Sequence, residues 1–401
     1  MTTVREILEN LVALNTVSHE ATTDAIAYIR DNLEPLGFSC QTFGELGFLN
    51  LIARNQTAVQ WNREGRSHVA FCGHIDTVPF DRELWTSDPL SLEERDGRLY
   101  GVGAADMKGP LACMIRALTT LAVSRPDLPL ALVVTHHEET ALEGARELVA
   151  IPAALDALRT LQLVIGEPTG LAIGYAHKGV FDFTVTIEGK AAHSGNPHHG
   201  LNAIYAASAV ARTIAAIDED WKRVSSAVER NTVNIGTIRS GDVRNRVPDY
   251  AVLRGDMRIV PGATSELLTN LVELQLAVLR GAGFCCELTC DYEAAPFEMS
   301  PDSGLVSRMV AILGAEPIRL GYATDASVFQ AGAGIDCVIL GPGDIRSCHM
   351  PDESIEIAQL EAGVEAYIAV LSARNDQQTA WRLVSSPQII RSMPDSTEEP
   401  Q

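Results

Sequence analysis

Basic residues are scarce in this chain of 401 residues. Lysine and arginine number 31 against 52 aspartates and glutamates, which gives a formal net charge of −21. Because such a surface repels phosphate backbones and anionic lipid headgroups, we expect neither nucleic acid nor a membrane as a partner. No apolar run approaches the roughly 18 residues of a membrane-spanning helix. The chain starts with an amphipathic pattern rather than the apolar stretch of a signal peptide, so we expect a soluble, cytoplasmic protein.

Paired cysteine motifs are also absent. The eight cysteines form no C-x-x-C, and most lie in apolar, strand-like segments, which favours buried thiols over disulfides. Cys285, Cys286 and Cys290 lie close together and could indicate a structural zinc ion. No second group of ligands accompanies them in the sequence, which weakens that interpretation.

A complete dinucleotide-binding fingerprint is missing as well. The segment LYGVGAADMKGP places Gly101 and Gly103 suitably, but Asp106 stands where the third glycine belongs. Its carboxylate would repel a pyrophosphate, which argues against a nicotinamide-dependent oxidoreductase. The glycines are better explained by a tight loop that aims Asp106 at cations.

The chain does contain a regular alternation of strand-like and helix-like segments. With 46% hydrophobic and 21% charged residues, it has enough apolar material for a large core and two domains. The alternation predicts an α/β fold with a mostly parallel sheet covered by helices. The predicted helices cover residues 2–15, 21–36, 110–123, 142–149, 200–216, 264–280 and 357–373. The predicted strands cover residues 38–43, 48–53, 68–73, 129–135, 161–166, 180–188, 231–238, 249–259, 284–292 and 335–340.

Potential metal ligands follow these strands. His74, Glu139 and Glu167 each come just after a strand, and Asp106 stands in the loop before a helix. Glu139 lies 33 residues after Asp106, and Glu167 lies 28 residues after Glu139. One βαβ unit takes about 30 residues, so these side chains should meet at one edge of the sheet. Each one alone could equally be a solvated loop residue, and the spacing leaves that question open.

A fifth potential ligand lies much later. His349, in IDCVILGPGDIRSCHMPDES, follows Glu167 by 182 residues. Together the five side chains supply two imidazoles and three carboxylates, which favours a pair of divalent cations and a hydrolytic reaction. Between them, residues 179–291 have the order βαββαβ, a ferredoxin-like pattern that predicts an inserted domain. We expect a discontinuous catalytic domain at 1–178 and 292–375, followed by a polar C-terminal tail at 376–401.

The motifs, taken in order, resemble the zinc-dependent metallopeptidase family that includes acetylornithine deacetylase, succinyl-diaminopimelate desuccinylase, aminoacylase and glutamate carboxypeptidase. The similarity extends to about residue 373. It is specific for the family and less so for the substrate. The segments that carry it are GHIDTVPFDRELWTSDPL, LYGVGAADMKG, GEPTG followed by AHKG, and GPGDIRSCHMPDE.

The resemblance implies a particular metal arrangement. His74 and Glu167 would bind one zinc ion, Glu139 and His349 would bind the other, and Asp106 would bridge the two. Cobalt could replace zinc in such a site.

The resemblance also implies roles for neighbouring residues. Asp76 would orient His74, and Glu138 would be the general base. His193, on the inserted domain, would reach the active site of the other subunit in a homodimer and stabilise the developing oxyanion. The inserted domain would then serve for dimerisation and as a lid.

Substrate-binding positions follow from the same resemblance. Asn245, Arg246 and Arg258 match positions that hold the substrate carboxylate, and Thr324 and Asp325 match a loop that lines the pocket. Structural alternatives stay open: a buried structural histidine for position 193, a strand-anchoring ion pair for Arg258, and a simple turn at Asn245 and Arg246.

The reaction that the resemblance implies is hydrolysis of an N-acyl amide on a small amino acid. N2-acetylornithine, a precursor in arginine biosynthesis, is the first candidate substrate. Succinyl-diaminopimelate, other N-acyl amino acids and dipeptides are alternatives, and a catalytically inactive family member is a further one.

One segment departs from the family pattern. The family has T-A-D-E-E before the helix, whereas this chain has Thr135, His136, His137, Glu138 and Glu139. We expect His136 and His137 to be supporting or surface groups rather than additional ligands.

Overall fold

The structure is a computed structural model that describes residues 2–45, 47–223 and 229–373. The helices are α1 (Val4–Ala13), α2 (Thr23–Leu33), α3 (Gln56–Arg63), α4 (Lys108–Ser124), α5 (Glu138–Ala141), α6 (Glu143–Ala150), α7 (Pro152–Leu158), α8 (Ala203–Lys222), α9 (Glu266–Gly281), α10 (Gly304–Leu313), α11 (Ala326–Ala333) and α12 (Ile357–Ser372). The predicted C-terminal tail at 376–401 lies outside the described residues.

The strands form four sheets in this part of the chain. They are β1 (Ser39–Glu45), β2 (Phe48–Arg54), β3 (His68–His74), β4 (Glu93–Arg95), β5 (Arg98–Tyr100), β6 (Ala131–Thr135), β7 (Leu161–Ile165), β8 (Ile173–His177), β9 (Gly179–Glu188), β10 (Ala192–His193), β11 (Thr232–Ser240), β12 (Arg246–Val247), β13 (Tyr250–Ile259), β14 (Cys285–Ala294), β15 (Phe297–Glu298), β16 (Pro317–Leu320), β17 (Cys337–Ile339) and β18 (Ser354–Glu356).

The largest sheet has a parallel centre. Its strand order is β1-β2-β6-β3-β7-β17-β8-β15, with β16 beside β8. The central strands β6, β3, β7 and β17 are parallel, whereas β1, β2 and β15 pair in antiparallel fashion. Every residue of β3 and β6 is buried, as expected for parallel strands covered on both faces. The predicted α/β fold with a mostly parallel, helix-covered sheet is confirmed, and its edges are antiparallel.

Helices cover this sheet in two groups. Helices α1, α4 and α12 contact one another, and α6 contacts α7 and α11. Helix α1 begins at a capping box in which Thr3 and Glu6 satisfy each other's backbone N–H groups. Its buried residues recur at the helical period: Ile7, Leu8, Leu11 and Val12. Amphipathic patterning of this kind is what made the long helices predictable.

The inserted segment forms a separate antiparallel sheet. Its order is β11-β13-β9-β14, and helices α8 and α9 connect its strands. Along the chain this gives β9-α8-β11-β13-α9-β14, the predicted ferredoxin-like βαββαβ pattern. A hydrophobic core of its own, including Phe183, Val210 and Leu276, packs beneath the sheet. The exact domain boundaries stay a prediction; β14 itself continues past residue 291 to Ala294.

None of the helices in the described part of the chain is both long and apolar enough to cross a bilayer.

Candidate metal centre

Strand ends bring the predicted ligands to one edge of the large sheet. His74 is the last residue of β3, Glu139 lies in the short helix after β6, and Glu167 follows β7 by two residues. Because β3, β6 and β7 are parallel neighbours, their carboxyl ends meet. Asp106 precedes α4, and His349 lies in the loop between β17 and β18.

Asp106 lies between the two predicted imidazole ligands. His74 Nε2 is 3.0 Å from Asp106 Oδ1, and His349 Nε2 is 3.5 Å from Asp106 Oδ2. His74 Nε2 is also 3.7 Å from Glu167 Oε1, while His349 Nε2 is 3.0 Å from Glu139 Oε1. Asp106 therefore contacts both imidazoles, with Glu167 near His74 and Glu139 near His349.

Two sets of ligand atoms are close enough to share an ion. His74, Asp106 and Glu139 offer atoms within 4.8 Å of one another, and so do His74, Glu138 and Glu167. Glu138 thus lies at the same centre, although the sequence pattern assigns it a different role. His74, Asp106, Glu139 and Glu167 are brought together as their spacing predicts, and His349, which the spacing did not cover, contacts Asp106 and Glu139.

The charges at this centre are unbalanced without cations. Burial and the charge of Glu167 raise the pKa of Glu138 well above its usual range, and burial and Asp106 do the same for Glu167. Glu167 Oε1 is buried and has no hydrogen-bond partner among the described residues. Crowded carboxylates, one of which has an oxygen without a donor, together with imidazoles, suit divalent ions such as zinc. The residues present therefore fit a metal centre.

The main chain of Asp76 fixes the orientation of His74. His74 Nδ1 donates to the main-chain carbonyl of Asp76 at 2.9 Å, which leaves Nε2 free as the ligand atom. The Asp76 carboxylate lies 3.6 Å from Nδ1 and accepts instead from the backbone N–H groups of Glu138 and Glu139, at 3.1 and 3.2 Å. Asp76 thus touches the His74 ring through its carbonyl and holds the turn that carries the two glutamates with its carboxylate.

The loop at Thr324 and Asp325 lies behind the glutamates. Thr324 is fully buried, and its hydroxyl accepts from Ala326 N–H. Asp325 accepts from Thr135 Oγ1 at 2.7 Å, and burial raises the pKa of its carboxyl group to about 6. Asp325 therefore influences Glu138 by its charge, and the Thr324 side chain is not exposed to a pocket.

Glu353 is a supporting residue that the sequence pattern did not reveal. Its buried carboxylate accepts from the backbone N–H groups of Gly103, Ala105 and Asp106 at 3.0, 2.8 and 2.9 Å. Glu353 belongs to the loop that also carries His349, so it joins two loops about 250 residues apart in sequence. In the sequence, the only indication of this role was that Glu353 lies four residues after the predicted ligand His349.

Lys108 is the second unforeseen residue. It is completely buried, its Nζ donates to Leu14 O at 2.8 Å, and burial lowers its pKa to about 7. Its stem packs against Gly103, where a Cβ would lie 3.0 Å from Lys108 Cγ. Gly103 also has a φ of +77°, so glycine is required there on both counts. This explains the glycine in the tight loop before Asp106.

Three predicted substrate-contacting residues lie together in the inserted domain, beyond the end of β9 that is distant from the large sheet. His193 pairs with Arg246 in the small β10–β12 ladder, and Ser194 N–H donates to Asn245 O at 3.1 Å. His193 and Arg246 are exposed, and Arg246 contacts Asp242 and Asp249. The structure therefore groups His193, Asn245 and Arg246 with one another.

Arg258 lies at the opposite end of the inserted sheet. It pairs with Val180, the second residue of β9, near the point where the chain leaves the large sheet. Its guanidinium is 3.0 Å from Asp256 Oδ2, which is the ion pair that the structural alternative foresaw. Arg258 and the group around His193 are thus separated by most of the length of β9.

Comparison with known proteins places this arrangement in a family. The profile of peptidase family M20/M25/M40 matches residues 70–373, which is most of the chain. The chain belongs to this family. It is 34% identical over 372 residues to the acetylornithine deacetylase of Proteus mirabilis strain HI4320, covering 89% of this chain and 92% of that protein.

Solved structures share the fold of this chain. The metallo-carboxypeptidase Sso-CP2 from Sulfolobus solfataricus superimposes with a TM-score of 0.74 at 19% identity, covering 92% of this chain and 99% of that one. Human carnosine dipeptidase 1 has a TM-score of 0.67 at 19% identity, with 92% and 96% covered. M20 enzymes are metal-dependent hydrolases of small peptides or acyl-amino acids, and this chain carries a matching candidate metal cluster.

Proposed function

We propose that this M20 protein is an amidohydrolase that removes the N-acyl group from a small amino acid, with N2-acetylornithine as its first substrate. The products would be ornithine and acetate, as in arginine biosynthesis. The observation that carries the proposal is the identity of 34% to an acetylornithine deacetylase across 89% of the chain. The position of Glu138 at the candidate metal centre supports it.

Two divalent ions, zinc or cobalt, would occupy the centre. His74 and Glu167 would hold one ion, Glu139 and His349 would hold the other, and Asp106 would contact both. The distances of Asp106 Oδ1 and Oδ2 to the two imidazoles, 3.0 and 3.5 Å, support this division. When bound, such a pair of ions lowers the pKa of water toward about 7 and polarises the substrate carbonyl.

Glu138 would act as the general base. It takes a proton from the attacking water and then delivers it to the leaving amine. A carboxyl group with a raised pKa is suited to holding that proton between the two steps, and both burial and Glu167 raise the pKa of Glu138. Asp76 holds Glu138 in place through its backbone N–H.

His193 would stabilise the tetrahedral oxyanion. Its Nδ1 accepts from Gly195 N–H at 3.0 Å, so a neutral ring carries its proton on Nε2. That proton is a donor available to the developing negative charge. Arg246, which pairs with His193 in the β10–β12 ladder, and the adjacent Asn245 would bind the substrate carboxylate. Arg258, at the other end of β9, would add positive charge.

The position of His193 favours a homodimer. The ten residues of β9 span about 33 Å, and His193 lies beyond their far end. It is therefore remote from its own metal centre, and the inserted domain of a second copy would have to supply it. Several exposed apolar residues surround the edge strand β11 and could bury against such a partner: Ile204, Tyr205, Ile238, Val243 and Tyr250.

A substrate panel tests the proposal. The purified protein is loaded with zinc or cobalt and assayed with N2-acetylornithine, N-succinyl-diaminopimelate, N-acetylcitrulline and a dipeptide. We expect the highest kcat/KM with N2-acetylornithine. A higher value for the dipeptide or the succinyl compound would assign a different substrate, and no turnover of any compound by the metal-loaded protein would contradict the hydrolase.

Glu138→Gln tests the base within the same assay. Because general base catalysis contributes about 100- to 10,000-fold, we expect a loss of kcat in that range. The metal content should stay at the wild-type value, since glutamine keeps the shape of the side chain. Wild-type turnover by this variant would remove Glu138 from the mechanism.

A further inference from the structure

Two histidines directly precede the proposed base, and their rings contact each other. His136 Nδ1 lies 2.8 Å from His137 Nδ1, and the two rings are inclined by 82°. Two ring nitrogens at this distance must share one proton, because two lone pairs or two N–H groups would repel each other. One of the two residues therefore donates to the other.

A carboxylate sets the direction of this bond. His136 Nε2 is 3.1 Å from Glu147 Oε2, which also accepts from Asn50 Nδ2 at 3.1 Å. An ionised carboxylate only accepts, so His136 carries its proton on Nε2. His136 is 2% exposed, and such burial disfavours a second, charging proton. Its Nδ1 is then the acceptor, and His137 donates from Nδ1.

This chain of bonds ends at a backbone of unusual conformation. His137 has φ +50° and ψ 35°, in the left-handed region, and is the residue immediately before α5. Its ring also packs on Phe48, with centroids 4.5 Å apart. The side chain is therefore fixed on two sides, and the next residue is Glu138.

The strand end behind the pair is equally fixed. His136 N–H donates to Asn50 Oδ1 at 3.3 Å, and His136 O accepts from Gly144 N–H at 3.0 Å. Asn50 is fully buried and contacts Glu147 as well, so Asn50, Glu147 and His136 form a closed network. His137 therefore bonds to a buried side chain, His136, whose ring and main chain are themselves held by hydrogen bonds.

We propose that His136 and His137 form a positioning network, in which Glu147 only keeps the proton of His136 on Nε2, and that this network holds the left-handed turn at residue 137 and so directs the carboxylate of Glu138. Asp76 restrains this turn through the backbone N–H groups of Glu138 and Glu139, and the network restrains it through the His137 side chain. The two histidines are positioning residues, since they act through the turn rather than on the substrate. The inference rests on the proposed role of Glu138 as general base.

Two substitutions of His136 separate its two hydrogen bonds. In His136→Asn the amide oxygen takes the place of Nδ1 and can still accept from His137, but the contact to Glu147 is lost. In His136→Gln the amide nitrogen takes the place of Nε2 and can still donate to Glu147, but the bond to His137 is lost.

Only the bond to His137 reaches the base, so the variants should differ. We expect His136→Gln to lower kcat by about 10- to 100-fold with little change in KM, as for a catalytic group misplaced by about 1 Å. His136→Asn should keep most of the wild-type kcat. His19→Gln, at an exposed site, is the matched control and should not differ from wild type. Equal losses in both His136 variants, or none in His136→Gln, would overturn the inference.

Nitrogen NMR of zinc-loaded protein with labelled histidines shows which ring nitrogen of each histidine is protonated, and this measurement does not depend on enzymatic activity. We expect His136 to be protonated on Nε2 and His137 on Nδ1, with the signals assigned by the variants. Protonation of both residues on Nε2, or a third bound zinc ion that is lost on substitution of His137, would overturn the network. If Glu138→Gln were fully active, the proposed function would fail instead. An inactive Glu138→Gln beside a normal His136→Gln would reject the positioning network alone.

Discussion

Replacing Glu353 with glutamine should loosen the loop that presents Asp106 and thereby weaken metal binding. The Glu353 carboxylate accepts three backbone N–H bonds, two on Oε1 and one on Oε2. Glutamine keeps a single acceptor oxygen, and its NH₂ group would face an N–H donor. The substitution therefore acts on the position of Asp106 without touching any predicted ligand side chain.

The expected size of the effect follows from these bonds. Hydrogen bonds to a charged group contribute about 1.5–3 kcal/mol, and neutral ones about 0.5–1.5 kcal/mol. Two bonds would each lose about 1 kcal/mol, and the loss of the third would cost about 2 kcal/mol, which gives about 4 kcal/mol in all. Part of this free energy would appear as lower fold stability and the rest as weaker metal binding. For metal binding we expect the roughly 10- to 100-fold loss of affinity that is typical when a group supporting a ligand is removed.

The assay is a competition titration of metal-free protein with zinc and a chelating dye, alongside thermal unfolding. Burial raises the pKa of Glu353 to about 7, so the comparison is made at pH 8, where the carboxyl group is ionised. Asp352→Asn is the matched control, because Asp352 lies on the same loop and bonds to Thr86 instead. An affinity and a Tm for Glu353→Gln equal to those of the control would refute the reasoning.

Three further predictions address other parts of the molecule. His349→Ala should reduce the metal content by one equivalent, measured by elemental analysis; two retained equivalents would remove His349 from the ligand set. Mixing inactive His193→Ala with inactive Glu138→Gln should restore activity if each site takes His193 from its partner. Random pairing in a symmetric dimer gives about a quarter to a half of the activity per active site. No recovery in verified mixed dimers would contradict the shared site. His68 has a pKa of about 4 in the folded protein, against 6.5 for the free side chain, because burial disfavours its charge. Below pH 6.5 the unfolded chain therefore binds a proton that the folded chain does not. The free energy of unfolding should fall by about 2 kcal/mol between pH 7 and pH 5 for this reason. His68→Leu should show a smaller fall in Tm between pH 7 and pH 5 than wild type, and equal falls would contradict this assignment.

The places where the candidate ligands lie in the fold could be predicted because their signals are local. His74 ends and Glu167 follows short apolar runs that predict buried central strands, and parallel strands end at one edge of a sheet. The same regularity revealed the βαββαβ insertion, whose strands all lie within a few residues of their predicted bounds.

Contacts between distant segments could not be predicted in the same way. The role of Glu353 depends on N–H groups about 250 residues earlier, and the bond between His136 and Glu147 depends on how α6 folds back on its strand. Asp76 shows the same limit: its sequence position beside His74 indicated one contact, whereas its carboxylate reaches the glutamate turn.

Short elements were missed for a different reason. Helix α3 is eight residues long and fully buries only Ala58 and the polar Asn62, so it offers no repeated apolar positions to detect. Strand β8 combines Gly174 with partly buried Tyr175, and nothing local distinguishes it from a loop. Tertiary packing rather than local preference determines such segments.

The most direct test of the account is a crystal of the zinc-loaded protein measured at the zinc absorption edge. The account predicts two anomalous peaks about 3.5–4 Å apart, one beside His74 and Glu167, the other beside Glu139 and His349, with Asp106 between them. A single peak, or peaks at positions that these side chains do not reach, would contradict it.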